Sequence, residues 1–357
     1  MNEKKIAIIA NSLSLGGAER VSITLAEWWA NKGIETYLIT LNKDRKQGYE
    51  LSSSVNRVPI NDEGNLSKLK IINELRRKLR ELSINKALVM GVPLSLYVIP
   101  ASLGLNISVI ISERNDPAHF KGKLLTKLLS RRLMYLAKGY VFQTEDAKKY
   151  YPKSIQKKST IIPNPLLTDN LPQLYKGKRE KVIVTAGRLV EQKNHVVLVK
   201  AFSEITKQFP DYRLVIYGNG PEKNNIEQLI KKLHLQDKVF LPGAVQDLFT
   251  KIKKDKLFVL SSDFEGLPNA LIEAMALGLP CVSTDCPFGG PRSVIKNMKN
   301  GILVPVRDPY GMARAISFLL ENKNVSQRIS YEAIKVRNQL DKDYICNLWS
   351  KYLFETE

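Results

Sequence analysis

The sequence contains few cysteines and no long apolar run. Its three cysteines, Cys281, Cys286 and Cys346, are an odd number, which argues against the disulfide framework of a secreted protein. No Cys or His pair lies near Cys281 and Cys286, so a structural zinc site is not predicted. No apolar stretch approaches the ~20 residues that span a bilayer. These absences favour a reducing cytoplasm.

The amino terminus has only a superficial likeness to a signal peptide. In MNEKKIAIIANSLSLGG the apolar block is limited to IAIIA, and Asn11 and Ser12 interrupt it. A secretory signal has a longer apolar core. This segment is therefore predicted to be a first buried strand.

Acidic residues are scarce, and the formal net charge is +20. Residues 1–170 hold 27 Lys and Arg against 15 Asp and Glu, and the stretch 117–144 has no acid. Such a field attracts nucleic acid, acidic lipid or polyphosphate. For any one basic cluster, a solvated helix face is an equal alternative. Nucleic acid is disfavoured as a partner, because the basic segments lack interleaved aromatics and any recognised motif.

Short apolar runs alternate with amphipathic stretches along the chain. The runs are KIAIIA, ETYLIT, INKALVM, ISVIIS and GYVFQT in the first half, and VIVTAG, RLVIYG, VFLPG, LFVLSS and PCVST in the second. This alternation predicts an α/β protein with two doubly wound parallel sheets. The loose segment 161–181, rich in Pro, Asn and charge, is the predicted linker.

The predicted domains are residues 1–168 and residues 169–341, each of Rossmann-like type. Residues 342–357 are predicted to form a short aromatic helix that packs back near the hinge. Ligands of doubly wound sheets bind at the carboxyl ends of the strands. A ligand is therefore expected in a cleft between the two domains.

Glycine turns follow several predicted strands. Gly16 and Gly17 lie between the first strand and first helix, where a ligand can approach the backbone and a helix N-terminus. Conformational need alone is the alternative, and the spacing does not match the G-x-G-x-x-G dinucleotide motif. In the second half, Gly218 and the turn at 243–248 lie similarly, and their backbone groups can bind the edge of a base.

The segment VTAGRLVEQKNH places two cations after a strand. Arg188 follows Gly187 directly, and Lys193 comes five positions later. Both side chains can reach the carboxyl edge of the sheet, where a diphosphate would lie. Two cations there would stabilise the charge on a departing nucleoside diphosphate. A surface pair on a loop is the alternative.

The segment SSDFEGLPNALIEAMALGLP places two acids around a Gly-Leu-Pro break. A helix is predicted to begin at Pro268 or Asn269 and to end at Gly278. Glu265 then lies on the entering loop and Glu273 one turn inside the helix. Two carboxylates on either side of a helix N-terminus suit a phosphate with hydroxyls on both sides, as in a nucleotide-sugar.

The ordered set GGAER, GRLVEQKN, GNGPE, PGAVQDL and FEGLPNALIEAMALGLP resembles the family 4 retaining glycosyltransferases of the GT-B fold. The resemblance covers nearly the whole chain. Together with TDCPFGGPRSVIKNMKNGILVPVRDP and ISERNDP, it is similar to a bacterial group that makes surface polysaccharides and lipid-linked glycans. That group includes the N-acetylgalactosamine transferases of bacterial N-glycosylation.

The resemblance implies a role for each matching residue. Arg188, Lys193 and Glu265 would be catalytic: the two cations hold the donor diphosphate, and Glu265 binds hydroxyls of the donor sugar. Glu273 would bind the ribose and the region 245–247 the uracil. The implied donor-binding residues are Gly16, Gly17, Gly187, Gly218, Val245, Asp247, Gly266, Leu267, Pro268, Asn269, Ala270, Leu271 and Glu273.

For the acceptor, many family members have a histidine where this chain has Arg114 and Asn115. These two residues are expected to contact the sugar or the acceptor instead, because the nearest histidine is His119. Two basic helical segments, 65–82 and 119–140, are expected to bind an anionic bilayer and the diphosphate of a polyprenyl-linked glycan. The implied acceptor-binding residues are Arg114, Asn115, Lys68, Arg76, Arg77 and Arg80.

The expected reaction is a metal-independent transfer from a UDP-sugar by front-face substitution, with no cofactor. Rival hypotheses are Glu265 as a nucleophile, a soluble transferase with a non-lipid acceptor, and a non-catalytic nucleotide-sugar-binding protein. The expected location is the inner face of the bacterial cytoplasmic membrane, with peripheral attachment.

Overall fold

The computed structural model describes residues 5–14, 16–43, 50–119, 124–167, 171–245 and 247–355. The chain forms two compact units. The first runs to Pro165 and also takes the residues from Asp343 onward, and the second is Leu166–Lys342. The predicted boundary at 168 and 169 lies outside the described residues.

A parallel sheet of seven strands forms the centre of the first unit, in the order β3-β2-β1-β4-β5-β6-β7. Its middle strands are almost fully buried because helices cover both faces, which explains their near-continuous apolar runs. The strands are β1 (Lys5–Ala10), β2 (Glu35–Thr40), β3 (Asn56–Pro59), β4 (Lys86–Met90), β5 (Ser108–Ser112), β6 (Gly139–Phe142) and β7 (Ser159–Ile161).

Six helices connect these strands in the described part of the first unit. Those between β3 and β6 pack side by side, so that the third lies between the second and the fourth. The helices are α1 (Gly17–Asn31), α2 (Lys68–Glu81), α3 (Ser95–Ser102), α4 (Leu124–Leu133), α5 (Glu145–Lys149) and α6 (Lys153–Lys157).

The second unit contains a parallel six-stranded sheet in the order β10-β9-β8-β11-β12-β13. Its strands are β8 (Val182–Ala186), β9 (Arg213–Tyr217), β10 (Val239–Gly243), β11 (Leu257–Leu260), β12 (Cys281–Thr284) and β13 (Ile302–Val304). Its helices are α7 (His195–Gln208), α8 (Lys223–Lys232), α9 (Leu248–Ile252), α10 (Asn269–Ala276), α11 (Pro309–Glu321), α12 (Lys323–Ala333) and α13 (Val336–Gln339).

The final helix, α14 (Lys342–Phe354), packs on the first unit through its aromatic residues. Trp349 is fully buried, and Trp29 of α1 donates a hydrogen bond from Nε1 to Ser350 Oγ at 2.7 Å. The Tyr352 hydroxyl accepts from the Tyr140 amide at 3.0 Å. The last residues thereby complete the core built by the first half of the chain.

The ten apolar runs predicted as strands all form strands, and the amino-terminal run forms β1. Three further strands, β3, β7 and β13, were not predicted. Each has only three or four residues, and β3 and β7 are exposed or half-buried. Within the described residues, no helix is both long and apolar enough to cross a bilayer.

Candidate active site

Because all strands of the second sheet are parallel, the loops that follow them meet at one edge. Gly218 lets two of these loops touch: its φ is +147°, and a Cβ there would lie 1.9 Å from the Gly187 carbonyl oxygen. The Gly187 amide donates to Tyr217 O, and the Gly218 amide donates to Gly243 O, both at 2.9 Å. Glycine is therefore required at Gly218 by the packing of the loops, whatever ligand they bind.

Lys193 and Glu265 form an ion pair at this edge, although they are 72 residues apart. The side chains are only 15 % and 8 % exposed. Ser262 donates from Oγ to Glu265 Oε1 at 2.6 Å. From the family resemblance, Lys193 was expected to bind a diphosphate and Glu265 a sugar. The structure brings the two groups together and shows that each orients the other.

The loops that carry this pair are joined by further hydrogen bonds. Ser261 donates from Oγ to Lys193 O at 2.9 Å, and Gln192 donates from Nε2 to Phe264 O at 2.9 Å. Asn194 donates from Nδ2 to Asp263 Oδ1 at 2.8 Å. Sequence reasoning missed these partners, and only their proximity to Lys193 and Glu265 in the chain could have indicated them. The result is a rigid frame around the ion pair.

His195 begins α7 directly behind Lys193 and is buried. Burial, with a smaller contribution from the Lys193 ammonium, lowers the pKa of His195 to about 4. The imidazole is therefore neutral at physiological pH. A neutral ring adds no third positive charge beneath the loop that carries Arg188 and Lys193.

Helix α10 begins at Asn269 after Pro268 and is followed by Gly278 with φ +68°, as predicted. Glu273 is buried in its second turn. Pro268 at the N-cap makes no side-chain hydrogen bond to the helix. The helix N-terminus therefore lies beside the Glu265 loop with its dipole available to an anion.

Gly290, which sequence reasoning did not select, packs against the predicted donor residue Gly266 and supports this loop. A Cβ on Gly290 would lie 1.7 Å from the Gly266 carbonyl oxygen. Nearby, Thr284 donates from Oγ1 to Ser262 O at 2.5 Å, which holds the start of the same loop. Gly290 thus sets the position of the segment that contains Glu265 and Gly266.

If the site catalyses the expected transfer, Gly290→Ala should lower kcat at least tenfold, because the added methyl group must displace main-chain atoms next to Glu265. Steady-state kinetics at saturating donor measures the effect. The matched control is Gly177→Ala, whose Cβ meets only the side chain of Tyr175. Equal activity of the two variants would contradict this role for Gly290.

Other predicted donor residues differ in their surroundings. Arg188 is exposed on the loop after β8. Asp247 accepts from the Thr250 amide at 3.1 Å and so caps α9. Val245 is partly buried on the same turn, and residue 246 lies outside the described residues. Asp247 has a local structural role whether or not a base binds there.

In the first unit, Gly16 is the N-cap of α1 with an extended backbone, at φ −169° and ψ 164°. Any residue can adopt this conformation, and a Cβ on Gly16 would meet only the side chain of Glu19. Neither Gly16 nor Gly17 has positive φ. Main-chain conformation therefore does not explain glycine at Gly16.

Arg114 lies in a buried polar network at the carboxyl edge of the first sheet. Its guanidinium donates to Asn164 Oδ1 and, at 3.4 Å, to Ser112 Oγ. Glu113 accepts from the amides of Arg114 and Asn115 and from the Tyr151 hydroxyl, and burial raises its pKa. Arg114 thus orients neighbouring protein groups, whereas Asn115 is exposed.

His119 lies near this network and pairs with Asp116. The distance from His119 Nδ1 to Asp116 Oδ2 is 2.7 Å, and the Asp116 side chain is fully buried. Asp116 also accepts from the amides of Ala118 and His119. The carboxylate fixes the orientation of the imidazole, as carboxylates do beside functional histidines.

The basic residues predicted on α2 are not equivalent. Arg76 donates to the carbonyls of Ala101 and Leu103, and Arg77 pairs with Glu74 and Glu81. These two arginines already serve intramolecular contacts, which the sequence did not reveal. Of the predicted acceptor-binding residues on α2, Lys68 and Arg80 are exposed. Among the described residues, no group of three or more His, Cys, Asp or Glu could hold a metal ion.

Comparison with known proteins agrees with this arrangement. The model of glycosyl transferases group 1 matches residues 168–336, and the model of Glycosyltransferase Family 4 matches residues 15–170. An uncharacterized glycosyltransferase of Methanocaldococcus jannaschii is 34% identical over 264 residues, which are 68% of this chain and 65% of that protein.

A Campylobacter jejuni enzyme is 26% identical over 99% of each chain, and its name describes an α-1,4-N-acetyl-D-galactosaminyltransferase acting on a diNAcBac-PP-undecaprenol glycan. The structure of Anabaena HepE in complex with UDP superposes with a TM-score of 0.82 at 16% identity, covering 99% of this chain and 100% of that one. With two Rossmann-like units and both family models matched in order, the chain belongs to the family 4, group 1 glycosyltransferases of the GT-B fold.

Proposed function

We propose that this glycosyltransferase moves a hexose or N-acetylhexosamine (GalNAc, Gal, GlcNAc or Glc) from a UDP-sugar to a polyprenyl-diphosphate-linked glycan, with retention of the anomeric configuration. The product would serve surface polysaccharide synthesis, as O-antigen, capsule or exopolysaccharide. The observation that carries the proposal is the Lys193–Glu265 pair next to the N-terminus of α10.

The pair is suited to a nucleotide-sugar because Lys193 can bind its diphosphate and Glu265 can bind its sugar hydroxyls. The Lys193 ammonium has three N–H donors, and Glu265 takes one of them. The others can bind the donor diphosphate, with Arg188 supplying a second cation. Glu265 retains acceptor capacity for hydroxyls of the sugar. Sugar and diphosphate would thus be bound by one preorganised unit.

In the proposed mechanism, the acceptor hydroxyl attacks on the face from which UDP departs. The anomeric C–O bond to the diphosphate breaks, the new glycosidic bond forms, and the hydroxyl proton passes to a departing phosphate oxygen. Arg188, Lys193 and the α10 N-terminus stabilise the charge that develops on UDP. Because these groups supply the positive charge, the proposal requires no metal and no cofactor.

Glu265 is assigned to sugar positioning rather than to nucleophilic attack. One of its oxygens accepts from both Lys193 and Ser262. Two such donors stabilise the carboxylate and reduce its nucleophilicity. They also fix its orientation, which suits hydrogen bonds to sugar hydroxyls.

A lipid-linked acceptor is supported by the name of the Campylobacter relative and by the basic first half of this chain. Exposed Lys68 and Arg80 on α2 remain candidates for the acceptor diphosphate. With an acceptor in the bilayer, the enzyme would work as a peripheral protein at the inner face of the bacterial cytoplasmic membrane. The test is to incubate the purified protein with a panel of labelled UDP-sugars and membranes. Transfer of label to the lipid fraction identifies the donor and the acceptor class together.

Glu273→Gln tests UDP binding separately from transfer. If Glu273 binds the ribose hydroxyls, its replacement should weaken UDP binding about tenfold or more, since hydrogen bonds to charged groups are worth about 1.5–3 kcal/mol. Isothermal titration calorimetry with UDP measures this. Glu191→Gln, at an exposed residue of the same unit, is the control. Wild-type protein that binds no UDP would refute the proposed donor class.

A further inference from the structure

Helix α4 has its apolar side turned away from the protein. Four leucines, Leu124, Leu125, Leu128 and Leu129, are between 47 and 71 % exposed. They follow the four-residue spacing of a single helix face. Leu136, three residues beyond the end of the helix, is 63 % exposed as well. These five residues are called the leucine face.

Three polar residues of α4, namely Lys127, Ser130 and Arg131, lie on the side that packs against the protein. Ser130 is fully buried, and its carbonyl accepts from Ser95 Oγ at 3.0 Å. Lys127 donates to Ala118 O at 3.3 Å, and Arg131 donates to Pro117 O at 2.9 Å. These contacts hold the helix in its orientation, so the exposed leucines are a consequence of specific bonding on the opposite side.

Exposure of so much contiguous apolar surface is unfavourable in water and marks an interaction site. The adjoining charges indicate the partner. Arg132, within α4, and Lys138, two residues beyond Leu136, are both exposed. In the sequence from Pro117 to Thr144 there are six Lys and Arg and no acid. A partner must therefore combine an apolar interior with a negative border.

A second copy of this chain does not satisfy that requirement. In a symmetric dimer the same patch would meet its own copy, so both sides would bring positive charge and neither would bring an acid from the stretch 117–144 to neutralise it. An anionic bilayer satisfies both conditions, because acyl chains accept the leucines while acidic head groups meet the cations.

We propose that α4 lies flat on the anionic membrane surface and inserts the leucine face among the acyl chains. This inference rests on the proposed function, which places the acceptor in a lipid bilayer. It adds the identity of the residues that enter that bilayer. It differs from attachment by charge alone. On α2 the residues Ile71, Leu75 and Leu79 are buried in the core, so that helix offers cations but no comparable apolar face.

The test is flotation of the full-length protein with vesicles of equal parts phosphatidylglycerol and phosphatidylcholine. Leu125→Gln/Leu128→Gln should lower the partition coefficient at least tenfold, because burial of one leucine is worth about a factor of ten or more. The matched control is Tyr310→Gln/Tyr331→Gln, at residues that are 63 % and 68 % exposed in the second unit. The control should bind vesicles as wild type does.

A second pair of variants addresses charge. Arg132→Gln/Lys138→Gln should reduce the preference for anionic over pure phosphatidylcholine vesicles, while Leu125→Gln/Leu128→Gln should reduce binding to both. Unchanged flotation of the leucine variant would overturn the inference. So would sedimentation velocity showing a wild-type dimer that the leucine variant dissociates, since a second copy would then cover this face.

UDP calorimetry on the same proteins separates this inference from the proposed function. Helix α4 belongs to the first unit, whereas Arg188, Lys193 and Glu273 belong to the second. The leucine variant should therefore bind UDP as wild type does. Vesicle binding without UDP binding would refute the proposed donor and leave the leucine face standing. If the protein binds UDP but the leucine variant floats with vesicles as wild type does, the inference about the leucine face is refuted and the proposed donor is retained.

Discussion

Arg188→Ala is expected to lower kcat about 10²–10³-fold while the midpoint of thermal unfolding stays unchanged. The loss is that typical of removing one charge-stabilising group from a transition state. The fold should survive because Arg188 is exposed. Steady-state kinetics at saturating UDP-sugar and differential scanning calorimetry measure the two quantities.

Lys193→Ala is expected to lower kcat by a similar factor and also to destabilise the protein. Its removal leaves the buried Glu265 carboxylate without its cation, and breaking a buried pair in this way costs about 3–5 kcal/mol. Lys193→Ala/Glu265→Gln should recover much of the stability but none of the activity. The two predictions thus distinguish Arg188, which acts only in catalysis, from Lys193, which acts in both catalysis and stability.

The control for both variants is Lys200→Ala, which removes an exposed cation from α7. It should change neither kcat nor stability. Near-normal kcat in both Arg188→Ala and Lys193→Ala at saturating donor would count decisively against electrostatic stabilisation of a leaving diphosphate.

The second large effect is the dependence of stability on pH. Two buried groups of the second unit, Asp255 and His195, change the stability in opposite directions as the pH rises. Burial, reinforced by Glu180 and opposed by Arg179, raises the pKa of Asp255 to about 7 from 3.8. The folded state then binds this proton more tightly than the unfolded state. The contribution of Asp255 to stability therefore falls as pH rises from about 4 to about 7.

His195 acts in the other direction. Its pKa is lowered from 6.5 to about 4, so between these values the unfolded state binds more protons than the folded state. The contribution of His195 to stability is therefore complete above pH 6.5 and is lost as pH falls toward 4. Each group contributes a slope of about 1.4 kcal/mol per pH unit, and between pH 4 and 6.5 the two slopes oppose each other.

Single substitutions should reveal the two slopes. Relative to wild type, Asp255→Asn should become progressively more stable as pH rises from 4.5 to 6.5, by about 2–3 kcal/mol over that range. His195→Gln should become progressively less stable over the same range by a similar amount. Urea unfolding at a series of pH values measures both. Differences from wild type that do not vary with pH would contradict the assigned pKa values.

The sequence predicted well whatever depends on neighbouring residues. The start of α10 at Asn269 and its end before Gly278 follow from proline and glycine chemistry. The ten predicted strands follow from their apolar runs. The sequence did not predict β3 and β7, because they are exposed or half-buried and lack an apolar run, or β13, which has only three residues.

By itself, therefore, the sequence determined the two doubly wound sheets and the glycine and proline turns at their carboxyl edge, because these features follow from local hydrogen bonding and apolar periodicity. Only the tertiary structure decided that Lys193 binds Glu265 and that Gly290 touches Gly266. It also decided that Arg76 and Arg77 serve internal contacts and that the leucines of α4 face outward. Periodicity shows which side chains share a helix face, but the direction of that face depends on bonds to distant segments, such as Ser95 to Ser130.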